Sequence, residues 1–168
     1  LHIDTWRWAG VPFYIRAGKE MTVTCPEVFV RLKRPPLAVF DHIEREDSNY
    51  FRFRLSPDVV ISAGARVKKA GEAMRGEDVE LIARSQPKRV RLPYARLLGD
   101  ALRGDAELFG RDDGIEAAWR IIDPALGAAE KVIAYKPRTW GPAAAEHLTS
   151  EDGGWHDPVV TRTDASTS

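Results

Sequence analysis

Arg16 and Lys19 flank Ala17-Gly18 directly after the apolar run Phe13-Tyr14-Ile15, inside a stretch over residues 6–21 that reads WRWAGVPFYIRAGKEM. Two cations that bracket a glycine at the end of an extended run suit an anion. Gly18 lets the backbone approach closely or take a positive φ, and a lysine offers a flexible point charge to a phosphate. The same residue types also describe surface cations around a turn, so a site has to be argued from groups that converge on them. Lys19 is the candidate substrate-binding residue.

Other chemistries find little to work with. His2, His42, His147 and His156 lie at an end, in a polar stretch or in the tail. None has a carboxylate spaced to orient it as a base, so each reads as a solvent-exposed structural residue. Cys25 stands alone, which excludes an intrachain disulfide and a cysteine metal cluster and fits a reducing cytosol. No His/Cys/carboxylate group has metal-ligand spacing, and there is no G-x-S-x-G elbow. Residues 71–76 have neither the spacing nor the context of a GxGxxG dinucleotide turn. Catalytic, cofactor-binding and metal-binding residues are therefore expected to be absent from this chain.

Charge narrows the partners. The 168 residues carry 25 basic and 25 acidic side chains, and this zero balance gives no dominant positive field for nucleic acid or anionic lipid. No uncharged apolar run reaches the roughly 18 residues of a membrane span. The first residues also lack the basic-then-apolar order of a secretion signal, so the expected address is cytoplasmic.

The elements that must position Lys19 follow from periodicity. Residues 11–16 read as a strand ending at Gly18, and residues 25–32 alternate, with Val28 and Val30 on one face and Glu27, Phe29 and Arg31 on the other. Residues 50–55 alternate most cleanly: Phe51, Phe53 and Leu55 face one way, Tyr50, Arg52 and Arg54 the other. Residues 59–67 and 78–84 read as two more strands, with a turn over 68–75 and a polar loop over 41–49. Repeated alternation with short polar turns predicts a meandering antiparallel sheet.

Helical spacing takes over at Pro93, where Tyr94, Leu97, Leu98, Ala101 and Leu102 recur every three or four residues and Gly104 stops them. A second helix starts at Asp112 or Asp113, sets Ile115, Ala118, Trp119 and Ile122 on one stripe, and is expected to break or restart at Asp123-Pro124. A short helix is predicted over 143–148. Tyr94, Phe109, Trp119 and the turn Trp140-Gly141-Pro142 read as packing residues. The expected fold class is α+β: a large, mostly antiparallel sheet with helices packed on one face. Residues 1–158 form one domain and 159–168 a mobile tail.

Ordered motifs carry a resemblance. RWAGVPFYIRAGKEM resembles the hallmark of glucose-6-phosphate dehydrogenases, and Pro93-Tyr94-Ala95-Arg96-Leu97-Leu98, Gly104-Asp105-Ala106-Glu107-Leu108-Phe109, Glu116-Ala117-Ala118-Trp119 and Trp140-Gly141-Pro142 resemble that family's later motifs in order. The resemblance spans some nine-tenths of the chain. It implies the C-terminal substrate-binding and dimerisation domain of a bacterial-type enzyme of the pentose phosphate pathway, which oxidises glucose 6-phosphate to the 6-phosphogluconolactone with NADP.

The dinucleotide-binding domain that would hold NADP, and the histidine base, precede Leu1 in that family, so the chain reads as a fragment that does not turn over alone. Lys19 matches the lysine that contacts the substrate phosphate. Ser56 and Thr24 stand where some members place a substrate-binding glutamine and a second substrate cation. Arg16 and Arg54 match arginines that help hold a structural NADP in vertebrate-type members. Cys25 and Phe29 replace the adjoining basic positions, so no structural nucleotide is expected, and the two arginines read as sheet-surface charges paired with Glu27 or Asp58. Ala95 stands where the family usually has Glu. The implied partners are glucose 6-phosphate and a second copy, in a homodimer or homotetramer through the sheet. The alternative is a non-catalytic assembly or regulatory module built on the same sheet.

Overall fold

The computed structural model describes residues 1–37, 48–56, 58–71, 73–85, 93–127 and 132–159. It divides into two compact units, one of Leu1–Gln86 with Ala134–Ser168 and the other of Pro87–Ile133. The expected polar loop lies mostly outside the described residues, as does all of the tail beyond Val159.

In the first unit the alternating segments form four strands: β1 (Glu27–Arg31), β2 (Tyr50–Arg54), β3 (Val59–Lys68) and β4 (Gly76–Ser85). They pair antiparallel in sequence order. Because side chains alternate across a sheet, register decides which ones share a face. One row runs Val28, Phe53, Ile61, Ala83 and the next Val30, Phe51, Ala63, Leu81, an apolar face throughout. The opposite rows run Glu27, Arg54, Val60, Arg84, then Phe29, Arg52, Ser62, Ile82, then Arg31, Tyr50, Gly64, Glu80.

Burial inverts the usual assignment. The apolar face is open, with Val28 54%, Phe51 43%, Ile61 49% and Leu81 78% exposed, whereas Arg54 and Ser62 on the charged face are buried. Among the described residues Val60 is the buried apolar side chain, and it too lies on the charged face.

The expected strand over 11–16 does not form. Its pairing is confined to Leu1 and Phe13, which exchange two hydrogen bonds: the Leu1 amino group donates to Phe13 O at 2.8 Å and Phe13 N to Leu1 O at 2.9 Å. An apolar run becomes a strand only beside a ladder partner, and the residues just before this one, 5–10, fold into turns.

In the second unit, α1 spans Pro93–Arg103 and ends at Gly104 with φ 70°. The helix α2 spans Asp112–Gly127 and runs straight through Pro124. Proline there removes the N–H that would bond the Arg120 carbonyl and leaves that bond unmade, yet the helix continues to Gly127 and the expected break does not occur. Buried Asp100 is held by Arg103 within α1. Tyr94, Phe109 and Trp119, read as packing residues, stand 79%, 45% and 53% exposed. The third helix is a 3-10 helix, Ala143–Asp152, longer than the sequence suggests and closed by Gly153 in the left-handed region at φ 87°.

Candidate functional site

Lys19 sits in a loop fixed by distant chain. Its carbonyl accepts a 2.7 Å hydrogen bond from Tyr135 Oη, and next to it Glu20 takes φ 54°. The Glu20 carbonyl accepts from Arg138 N at 2.6 Å, and Arg138 itself has φ 62°. Thr22 Oγ1 donates to Arg138 O at 3.3 Å. Gly18 sits in a tight space: a Cβ there would lie 3.2 Å from Tyr135 Oη and 3.1 Å from Met21 Sδ. The Lys19 side chain is exposed, and among the described residues its Nζ has no hydrogen bond or ion pair.

The neighbouring cations behave differently. Arg16 is clamped between two indoles, its guanidinium carbon 4.5 Å from the Trp140 ring centre and 4.6 Å from that of Trp155, and it pairs with Asp157 and, at 3.9 Å, with Glu146. Arg54 is paired with Glu27 at 2.8 Å and donates to Val159 O at 2.8 Å. Of the partners expected for these arginines, Glu27 engages Arg54. The correction is that Arg54 is buried beneath the chain's C-terminal segment, while Arg16 takes acids from that segment, so neither is a plain sheet-surface charge. Arg31 donates to the Asp152 carbonyl, and a Cβ on Gly153 would run into its guanidinium.

His156 also departs from its sequence reading. It is half-buried, stacked on Phe29 with ring centres 4.0 Å apart, and its Nε2 donates to Glu27 Oε1 at 2.9 Å. The carboxylate that orients it is 129 residues away in sequence, out of reach of any local spacing rule. Burial holds its pKa below the usual histidine value despite the opposing Glu27 charge. Glu27 thus joins Arg54 and His156, its own side chain 2% exposed.

Further along the same face, Arg52 reaches Ser62 at 3.0 Å and Glu80 at 2.6 Å, and Tyr50 Oη donates to Glu80 at 3.0 Å. Burial raises the Glu80 pKa, but hydrogen bonds from Ser62 and Tyr50 and the Arg52 charge outweigh it and leave the carboxyl below its ordinary value. A cleft of about 230 Å³ near this network is lined by Ser48, Asn49, Tyr50, Arg66, Asp78 and Glu80, without Lys19. Thr24 and Ser56 are exposed. Burial pushes the Cys25 thiol up, against the nearby Arg54 charge. Among the described residues no cluster of metal ligands forms, and no helix is long and apolar enough to cross a membrane.

A four-stranded antiparallel sheet in one unit and two α-helices in the other define an α+β domain. Residues 1–156 match the family described as Glucose-6-phosphate dehydrogenase, C-terminal domain. The glucose-6-phosphate 1-dehydrogenase of Treponema pallidum is 37% identical over 171 residues, covering 95% of this chain and 33% of its own length. That of Mycolicibacterium smegmatis is 40% identical, covering 92% of this chain and 33% of its own. The crystal structure of glucose-6-phosphate 1-dehydrogenase from Mycobacterium avium superposes with a TM-score of 0.79 at 32% identity, over 95% of this chain and 34% of that one. A glucose-6-phosphate dehydrogenase solved with its substrate glucose 6-phosphate superposes with a TM-score of 0.66 at 26% identity. This chain belongs to the glucose-6-phosphate dehydrogenase C-terminal domain family, and it spans about a third of the length of the curated relatives it matches.

Proposed function

We propose that this chain is the C-terminal, substrate-binding and dimerising part of a glucose-6-phosphate dehydrogenase that oxidises glucose 6-phosphate to the phosphogluconolactone with NADP, and that Lys19 grips the sugar phosphate. One contrast carries the reading. Arg16, Arg31, Arg52 and Arg54 are all engaged by the chain's own groups, while Lys19 keeps an exposed ammonium free of any described partner. A dianionic phosphate is the substrate group that a lone, mobile ammonium suits.

The sequence has no glycine-rich dinucleotide turn, and Arg16 and Arg54 are already paired with Asp157 and Glu27. We therefore place NADP on a separate dinucleotide-binding domain and assign no catalytic residue here. Residues 1–158 would form the substrate domain, in a cytoplasmic enzyme. The open apolar sheet face, Val28, Val30, Phe51, Phe53, Ile61 and Leu81, supports assembly of a homodimer or homotetramer through the sheet.

The test is Lys19→Ala in the full-length enzyme. Loss of a charge-assisted contact predicts a rise in KM for glucose 6-phosphate of roughly 10- to 100-fold, with the dinucleotide KM nearly unchanged. An equal rise for both substrates, or none for the sugar phosphate, would contradict the assignment.

A further inference from the structure

We propose that Tyr135 is a positioning residue for Lys19: its phenol holds the loop of Gly18, Lys19 and Glu20 where the ammonium meets the substrate phosphate. The proposal rests on the reading of Lys19 above. Nothing at the tip of the Lys19 side chain fixes its direction, since its Nζ has no partner among the described residues. What the fold does fix is the Lys19 backbone, and Tyr135 Oη donates to that residue's own carbonyl at 2.7 Å. Fixing the root of a four-carbon stem confines the volume its charge can sweep.

Two further observations place this contact at the centre of a strained joint. Glu20 and Arg138, at φ 54° and 62°, are the non-glycine residues with positive φ among those described, and they hydrogen-bond each other at 2.6 Å. Left-handed backbone at residues with a Cβ costs energy and persists where the surroundings over-determine it. Here each strained residue secures the other, and Thr22 adds a third link to Arg138. Gly18 completes the fit, because the phenol oxygen would lie only 3.2 Å from a Cβ there. The segment of Tyr135 and Arg138 thus forms a backrest for the loop across 116 residues of sequence.

A double-mutant cycle in the full-length enzyme tests this, with steady-state kinetics for both substrates and melting curves for each variant. Tyr135→Phe keeps the ring and removes the donor. KM for glucose 6-phosphate should rise roughly 3- to 10-fold, the scale of one neutral hydrogen bond, with kcat, the dinucleotide KM and the melting temperature nearly unchanged. In the double variant Lys19→Ala with Tyr135→Phe, KM should match that of Lys19→Ala alone, since the phenol acts only through the lysine.

If Lys19→Ala raises KM and Tyr135→Phe does not, Tyr135 has no positioning role and the Lys19 reading stands. If the two effects multiply, Tyr135 acts independently of Lys19 and the proposal is overturned. If Lys19→Ala itself leaves KM unchanged, the phosphate reading fails and this proposal fails with it. Should Tyr135→Phe not fold, Gly18→Ala sets a methyl group 3.2 Å from the same phenol oxygen and crowds it. Its sugar-phosphate KM should rise by a similar factor, and an unchanged value would overturn the proposal.

Discussion

The two faces of the sheet are built from equally regular alternation, yet they end in opposite states. The charged face is covered by the chain itself: the C-terminal segment lays His156 on Phe29, joins it to Glu27, and ties Arg31 and Arg54 through the carbonyls of Asp152 and Val159. The apolar face is left open, with Phe51, Phe53 and Ile61 exposed. Burying charge costs desolvation that close pairing only offsets, so the charged face is covered where each buried group finds a partner in the chain itself. An apolar face gains only by meeting another surface. Alternation therefore says which residues stand together, and not which side is covered or by what.

Breaking the charged face should cost most. Glu27→Ala leaves Arg54 buried without its carboxylate and His156 without an acceptor; removing one partner of a buried pair costs about 3–5 kcal/mol. Urea unfolding of the first unit should show a loss on that scale, and a change under about 1 kcal/mol would mean that the network is ornamental.

The open face predicts a different failure. Phe53→Asp, with Phe53 36% exposed, should leave folding of the isolated chain nearly intact. It should weaken self-association of the full-length enzyme by at least about 30-fold, the scale of a central interface residue. Sedimentation across a concentration series reads this directly, and an unaltered assembly would move the interface elsewhere.

The smallest effect is that of pH. Because the folded pKa of His156 lies below its unfolded value of 6.5, the unfolded state takes up the proton first as pH falls. The stability that neutral His156 lends to the C-terminal segment is thus full above about 6.5, declines below it, and levels off at the folded pKa. The charges facing the ring are Glu27, Arg52 and Asp157. Protection factors of the amides over residues 153–158, corrected for the intrinsic slowing of exchange in acid, should fall as pH drops below about 6.5, and His156→Phe should flatten that dependence.

The sequence showed β1 to β4 and the starts of α1 and α2, because period-two alternation, turn residues and a proline at a helix start are local signals. It misled at residues 11–16, whose apolar run suits a strand but finds no ladder, and at Pro124, where the helix continues to Gly127 despite the lost N–H. At the site, Gly18-Lys19 was visible as a motif. The groups that shape its surroundings were not: Tyr135 and Arg138 are over 110 residues from the loop, and the indoles around Arg16 come from both sides of the 3-10 helix. Contacts between distant segments depend on where the chain returns, which no spacing within either segment encodes.

The most direct test is a structure of the full-length enzyme with glucose 6-phosphate bound. The account predicts Lys19 Nζ at about 2.7–2.9 Å from a phosphate oxygen, with Tyr135 Oη still bonded to the Lys19 carbonyl. A phosphate held by other cations, with that ammonium several ångströms away in solvent, would contradict it.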